Sequence, residues 1–424
     1  MILIYLRQAY KMMLQNKLFS TIYIIGTALS VAFVMTIFII FYIKLGPVYP
    51  EYNRNRIVSL NHIKVEINSD EGWFRSSRSR ASENLCNLLR GIEGCEALAT
   101  HCGSYGYQFT VNDIDDCDGR FVNNDYWRLY EFEFLGGKPF TDADAHSPLV
   151  VVSEKFARQL FATADVVGKE ISINNTRNRI VGVVKGSTGC TPDSYSQFWL
   201  PSAHSLFKNE DAGHPIIGEC EVEILCSSSS DVDNVVSKVK EIIKRLASER
   251  PQNEKYIPKV EKHWAKVLNV EDDNTTLFAA ISKYIYIVVA LLFIPALNLG
   301  GMIASRMSAR MDEIGVRKSF GATNANILYQ VLCENMLLTA IGAVSGLLLA
   351  YMITYTAKDW ILTIFDKYVN TSAPENVITV EALFNPTIII LTLLLIMILN
   401  IISALVPTLY SLRHSIVSSL NNKR

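Results

Sequence analysis

Charge is scarce in this chain. Asp, Glu, Lys and Arg make up 19% of its 424 residues, below the quarter or so typical of soluble domains. The 40 basic residues nearly cancel the 41 acidic ones, so no global basic field argues for a nucleic-acid partner. The phosphate-loop pattern is also missing. "ADVVGKE" (164–170) holds a Gly-Lys pair with neither the upstream glycine at the required spacing nor a following Ser or Thr, so ATP hydrolysis is not expected of this chain. No His-Glu-x-x-His and no Gly-x-Ser-x-Gly occurs, and the seven histidines never pair at helical metal spacing. His101 and Cys102 are adjacent but isolated, and read as structural. No catalytic, cofactor-binding or metal-ligating residue is expected.

What is abundant is apolar sequence gathered in blocks. Half the residues are hydrophobic and the mean hydropathy is +0.20. Four blocks stand out: Leu18–Leu45, Leu277–Ser305, Ile327–Thr356 and Pro386–Leu412. At about 1.5 Å per residue each exceeds the roughly 30 Å of a bilayer core. Four such blocks predict a polytopic membrane protein. Arg7, Lys11 and Lys17 give the first block a basic flank, but the apolar run is too long for a signal peptide and no Ala-x-Ala site follows, so it reads as a retained anchor.

The expected fold class is four transmembrane α-helices with a large extracytoplasmic α+β domain inserted between spans 1 and 2. Basic residues exceed acidic ones before span 1, at Arg306, Arg310, Arg317 and Lys318, and at Arg413, Lys423 and Arg424. By the positive-inside rule both termini and the 306–326 segment face the cytoplasm. The expected order is a cytoplasmic amphipathic helix (1–17), span 1 (18–45), the external domain (46–276), span 2 (277–305) and the 306–326 segment. Span 3 (327–356), an external loop (357–385), span 4 (386–412) and a cytoplasmic tail (413–424) follow.

Within 46–276, Arg56–Glu66 alternates as a strand does, and 81–92 has helical spacing through Leu85, Leu88, Leu89 and Ile92. "LVVVS" (149–153) reads as a buried strand whose Ser153 caps a helix carrying Phe156, Leu160 and Phe161. The 169–184 stretch reads as two strands joined by an Asn-rich turn. A strand at 220–226 precedes an amphipathic helix with Val232, Val235, Val239 and Ile243 on one face. Two lobes are expected, with about 111–215 inserted. Seven of the eight cysteines (Cys86, Cys95, Cys102, Cys117, Cys190, Cys220 and Cys226) fall in this external block and Cys333 in span 3. They match no metal framework. One or two disulfides in an oxidising compartment, or free buried thiols, are both open.

The spans carry a few polar and small residues. Gly342 and Gly346 form Gly-x-x-x-Gly, which permits close helix approach. Pro295 favours a bend in span 2, and Asn298, one turn on, can satisfy a freed carbonyl or reach a neighbouring helix. Glu334 and Asn335 enter span 3, where a carboxylate needs a partner, a proton or water.

"MDEIGVRKSFGAT" (311–323) is more elaborate than a passive connector needs. Met307, Met311 and Ile314 make an apolar stripe, and Glu313 with Arg317 forms an i, i+4 pair in the favourable order. Gly321 ends the helix, and Thr323 or Asn324 caps span 3. A short amphipathic helix pinned between two spans suits a lever. A solvated charged turn, the plainer reading, does not account for the stripe and the glycine.

"SRMSARMDEIGVRKSFGATNANILYQVLCENMLLTAIGAVSGLLLAY" (305–351) resembles the signature of FtsX/MacB/LolC-type permeases of ABC transporters. Glu313, Ile314, Gly315, Val316, Arg317, Lys318, Gly321, Ala322, Gln330, Glu334, Gly342 and Gly346 match the family pattern, while Ser319 and Phe320 replace the usual Ala-Leu. "LGGKPFTDADAHSPLVVVSEKFARQLFATADVVGKEISINNTRNRIVGVV" (135–184) resembles a MacB-like periplasmic domain. The resemblance implies a permease without an active site, which passes ATP-driven motion to its external domain. Its implied partners are a cytoplasmic ABC ATPase, which binds ATP and Mg, a second permease copy or paralogue in a dimer, and membrane lipids. A periplasmic adaptor or outer-membrane channel is a further candidate partner. ATPase contact is expected at Met311, Glu313, Ile314, Gly315, Arg317, Lys318, Phe320 and Gly321. Packing or hinge roles are expected at Pro295, Asn298, Glu334, Gly342 and Gly346. Export of antimicrobial compounds or peptides is the expected job. Lipoprotein extraction, control of a cell-wall hydrolase and, in a different class, ligand reception are the alternatives.

Overall fold

A computed structural model describes residues 7, 10, 11, 13–15, 17–68, 74–102, 109–187, 191–202, 214–270, 275–309, 311–357 and 383–413. The expected N-terminal helix is thus described only in part. Most of the 357–385 loop, and the 413–424 tail beyond Arg413, lie outside the described residues. Contacts divide the chain into two units: residues 1–42, 281–366 and 378–424 form one, and residues 43–280 and 367–377 the other.

The first unit is helical. Its helices are α1 (Lys17–Leu45), α7 (Leu277–Ala309), α8 (Met311–Ser319), α9 (Asn324–Thr356) and α10 (Pro386–Arg413). Among the described residues three stretches, Lys17–Leu45, Asn324–Thr356 and Pro386–Tyr410, are long and apolar enough to cross a membrane. The expected span 2 falls within α7, where Leu277–Ala290 forms a shorter apolar helix. Pro295 and Asn298 stand on α7, but their side chains lie outside the described residues, so the expected bend has no description here.

The second unit is built on a mixed sheet, fourteen-stranded among the described residues. In chain order it holds β1 (Ile57–Asn68), β2 (Phe74–Ala81), α2 (Glu83–Arg90), β3 (Cys95–Cys102), β4 (Phe109–Val111), β5 (Ile114–Cys117), β6 (Gly119–Val122), α3 (Tyr126–Leu129) and β7 (Phe134–Gly137). Next come β8 (Leu149–Ser153), α4 (Glu154–Phe161), β9 (Glu170–Ile173), β10 (Thr176–Val184), β11 (Phe198–Pro201) and β12 (Ile217–Gly218). It closes with β13 (Glu221–Cys226), α5 (Val232–Ser248), β14 (Glu254–Lys262) and α6 (His263–Val267).

Strands β4 to β11, residues 109–201, make one half of the sheet and join the other through β3 beside β6. Local chemistry sets the elements. Ser82 and Ser153 accept the backbone N–H groups of Leu85 and Phe156 and so start α2 and α4. Asn174 and Asn175, with φ of 44° and 65°, make the tight turn between β9 and β10. Helix α5 buries Val232, Val235, Val239 and Ile243 on the sheet beside Leu85, Leu89 and Ile224. The inserted half has its own core around Phe109, Phe121, Phe156 and Phe198. A third core gathers Tyr126, Tyr130 and Trp199 where β3, β6 and β13 approach.

Candidate functional site

The short helix α8 is fixed at both ends. Gly321, at φ +90°, closes it, with its N–H on the Lys318 carbonyl at 3.0 Å and that of Ala322 on Arg317 at 3.0 Å. The Thr323 hydroxyl then accepts from the Asn326 N–H at 3.3 Å and starts α9. The stop and the cap are those the sequence predicts.

From α8 a polar chain runs into α9. The Arg317 guanidinium donates to Gln330 Oε1, and Gln330 Nε2 donates to Glu334 Oε1 at 3.1 Å. Gln330 and Glu334 are both buried. The carboxylate that would be costly in a bilayer therefore has a hydrogen-bonded amide beside it. Gln330 is the residue the sequence reading undervalued: it matches the family pattern, but its bridging role requires knowing that α8 folds back toward α9.

The apolar stripe of this segment turns inward. Met307 and Ile314 are buried with Tyr23, Ile327, Val331 and Leu338. Ile314, expected as a partner anchor, instead packs inside its own unit, because a stripe at this spacing presents one face and the neighbouring helices α1 and α9 occupy it. Among the described residues of 311–321 the exposed apolar side chains are Val316 and Phe320, at 52% and 88% exposure. Lys318 is half-buried. A Cβ on Gly315 would meet nothing within 4 Å, although the residue itself is occluded. Met311 and Glu313 belong to α8, and their side chains lie outside the described residues.

Gly342 and Gly346 serve close helix contact. A Cβ on Gly346 would lie 2.6 Å from both the Ala28 carbonyl oxygen and Val31 Cβ, and one on Gly342 would lie 2.8 Å from Thr27 Cβ. Helix α9 thus meets α1 almost backbone to backbone. One turn below, Thr339 ties three helices. Its hydroxyl lies 3.1 Å from Tyr23 Oη on α1, accepts from Asn400 Nδ2 on α10 at 2.8 Å and donates to the Asn335 carbonyl at 2.8 Å. A cavity of about 180 Å³ lies beside it, lined mostly by apolar side chains that include Met336, Leu393 and Met397.

A second constellation lies within the α+β unit, and no sequence motif announced it. Asp193 and Ser194 sit on the loop before β11 and are held from both sides. Lys266 on α6 places Nζ 2.7 Å from Asp193 Oδ1 and 3.4 Å from Glu223 Oε1. Tyr130 donates to Glu223 Oε2. Arg120 donates to the Pro192 carbonyl at 2.8 Å and to that of Asp193. Glu51 accepts from the Ser194 N–H at 2.9 Å and hydroxyl at 2.8 Å, and pairs with Arg54 at 2.8 Å. Arg54 donates to the carbonyls of Ile43 at 2.6 Å and Gly46 at 3.0 Å, and His263 Nε2 lies 3.0 Å from the Lys44 carbonyl.

The loop therefore links the segment that follows α1 in sequence to the segment that leads toward α7. Such buried charges persist only when paired and hydrogen-bonded. Burial alone would raise Asp193, but Lys266 and His263 hold its carboxyl well below the usual carboxylate range. Burial pushes Glu223 up to about 7, reinforced by Asp193 and opposed by Lys266 and the Tyr130 hydrogen bond. Burial depresses His101 to about 4. Among the described residues no cluster of His, Cys, Asp or Glu is arranged to hold a metal ion.

Comparison with known proteins gives the family. The MacB-like periplasmic core domain matches residues 20–242, more than half of the chain, and the FtsX-like permease C-terminal domain matches residues 285–416. An uncharacterized ABC transporter permease, YknZ, of Bacillus subtilis is 24% identical over 279 residues, 65% of this chain and 67% of the relative. The macrolide export ATP-binding/permease protein MacB of Escherichia coli is 23% identical over 358 residues, 83% of this chain. The chain spans 53% of that MacB's length and 42% of the Aggregatibacter actinomycetemcomitans MacB. The crystal structure of the periplasmic region of MacB from Actinobacillus actinomycetemcomitans aligns with a TM-score of 0.36 at 18% identity, covering 51% of this chain and 94% of that one. With the periplasmic core family across its α+β unit and the permease family across α8 to α10, the chain belongs to the FtsX/MacB-type ABC transporter permeases.

Proposed function

We propose that this chain is a permease subunit that transmits the motion of a cytoplasmic ABC ATPase to its external α+β domain. The observation that carries the reading is the Arg317–Gln330–Glu334 chain, which joins α8 to the interior of α9. A force on α8 reaches α9 through it, and α9 meets α1 at Gly342 and Gly346 without intervening side chains. Helix α1 then continues in sequence into the Glu51–Arg54 segment. The cavity beside Thr339 leaves α9 room to shift against α10.

In this reading α7 is a fourth span, both termini are cytoplasmic, and the ATPase, with its ATP and Mg, is a partner subunit. It contacts α8 at Val316 and Phe320, with Lys318 and Glu313 setting orientation and Gly315 permitting close approach. Ile314 supports the helix from within. A second permease copy completes a dimer in the inner membrane. The MacB relatives are named as macrolide exporters, which favours export of antimicrobial compounds over lipoprotein extraction or hydrolase control. The test is capture of the partner ABC ATPase by Phe320→Asp and Val316→Asp variants of verified membrane insertion. Loss of capture supports the lever, and undiminished capture with undiminished stimulated turnover would end it.

A further inference from the structure

We infer that the α+β unit carries two disulfides, Cys86–Cys220 and Cys95–Cys226. The structure holds Cys86, Cys95, Cys220 and Cys226 as thiols, and all four gather at one core. Cys86 and Cys226 are buried within it, and Cys95 and Cys220 pack against its edge. They are arranged in pairs. Cys95 and Cys226 are register partners across the antiparallel strands β3 and β13, beside a register shift between Leu225 and Cys226. Partners in a regular antiparallel ladder have Cα atoms about 4.5–5.5 Å apart, and the roughly 4.4–6.8 Å that a disulfide spans leaves room for the shift. Cys220 pairs with Ala81 through reciprocal backbone hydrogen bonds of 2.9 and 3.0 Å, just before Ser82 starts α2. One turn into that helix the Cys86 thiol makes a hydrogen-bonding contact with that of Cys220.

Each pair joins one buried cysteine to one half-buried one, which provides an accessible sulfur for oxidation. The thiolate of the accessible member attacks the disulfide of a Cys-x-x-Cys oxidant protein, breaks that S–S bond and forms a mixed disulfide. The buried member, as thiolate, then attacks the accessible sulfur and expels the second oxidant thiolate. Two protein thiols become one disulfide, and the oxidant gains both electrons and protons as a dithiol. Burial pushes the Cys226 thiol up to about 12 and raises Cys95, and the hydrogen bond with Cys220, then burial, raises Cys86. Thiolate is therefore scarce once the core has closed, and oxidation belongs to the folding stage.

The positions have a purpose. The inserted strands β4 to β11 leave the first lobe after β3 and return before β13, so Cys86–Cys220 lies beside the neck of that insertion and Cys95–Cys226 closes the far end of the β3–β13 pair. They also pin β13 at its two ends, and β13 carries Glu223 between them.

The inference rests on the reading that residues 46–276 face an oxidising compartment. Its test uses the full chain in intact cells, acid-quenched, alkylated, and digested without reduction for mass spectrometry. Linked peptides Cys86–Cys220 and Cys95–Cys226 are expected, with four fewer alkylated cysteines than after reduction, and Cys95→Ser should abolish only the second link. Any other pairing, such as Cys117–Cys220, overturns the proposal. So do four free thiols in cells where a cysteine introduced at Asn175 is labelled from outside. If that cysteine is not labelled from outside, the orientation is what fails. The purified full chain oxidised with glutathione disulfide then decides: the same two links uphold the geometry, and their absence rejects it.

Discussion

Lys266 Nζ stands between two carboxylates, 2.7 Å from Asp193 and 3.4 Å from Glu223. One ammonium does not neutralise both. The nearer carboxylate stays ionised, and the farther one, shut off from water against Tyr130, is pushed up to about 7. A loop, a sheet strand and the helix leading toward α7 thus share one proton-sensitive contact.

The first prediction follows from that contact. Glu223 binds its proton more tightly folded than unfolded, so its stabilising contribution is complete below the ordinary Glu value near 4.5. It is lost as pH rises through about 7. His101 and His263 act in the opposite sense, because burial lowers both and their contribution fades as pH falls below 6.5. Glu221, Arg120 and Glu51 complete the charged surroundings. Glu223→Gln mimics the protonated form and keeps the size. Thermal unfolding of wild type should therefore lose ground to the variant between pH 5 and 8, and parallel curves would contradict the assignment.

The second concerns Gly346. A side chain there would strike the Ala28 carbonyl and Val31 at 2.6 Å, and a backbone oxygen cannot rotate away. Gly346→Val should destabilise the helical unit by about 1–3 kcal/mol, with Gly342→Ala milder because Thr27 offers a side chain. Gly301→Ala, where a Cβ meets nothing within 4 Å, is the control. Unfolding of purified protein in detergent gives the ranking, and an inert Gly346→Val would refute the close contact.

Third, Ile314 and Phe320 should separate folding from partner binding. Phe320→Asp alters a side chain that is 88% exposed, so it should leave unfolding unchanged while cutting ATPase association about tenfold or more, the scale of a central interface anchor. Ile314→Asp buries a charge among Tyr23, Ile327 and Val331 and should lower expression and stability before any effect on association is measured. Equal stability loss in both would contradict the inward placement of Ile314.

Much of this was legible in the sequence, and the part that was not has a physical reason. The caps at Ser153 and Thr323, the stop at Gly321 and the Asn174–Asn175 turn depend on a few neighbouring residues, so local pattern suffices. The stripe through Met307 and Ile314 was visible too, but periodicity identifies a buried face without naming what buries it, and the covering helices are remote in sequence. The Asp193–Lys266–Glu223 contact lay beyond reach altogether. Its members are dozens of residues apart on a loop, a helix and a strand, and none has a motif around it.

Fourth, orientation is open to labelling. A cysteine introduced at Asn175, in the exposed turn between β9 and β10, should react with an impermeant maleimide in intact cells, whereas one at Ser308 should react only after permeabilisation. The expectation rests on the basic excess at the termini and at Arg306–Lys318. Labelling of Ser308 from outside would reverse the topology.

The last prediction returns to Lys266 and Asp193. Removing either partner strands a charge: Lys266→Met leaves Asp193 and Glu223 facing each other, and Asp193→Asn leaves the ammonium with Glu223 alone. Each single change should cost on the order of 3 kcal/mol. The double variant should cost less than the sum by at least about 1 kcal/mol, because each change removes the partner whose loss made the other costly. Additive costs would mean that the two groups stabilise the unit independently. A functional arm distinguishes a clamp from simple packing. If the loop carries motion between the segments after α1 and before α7, the double variant, assayed at a temperature where it stays folded, should retain ATPase association and lose transport-coupled turnover. Full transport by the double variant would leave the contact a structural one.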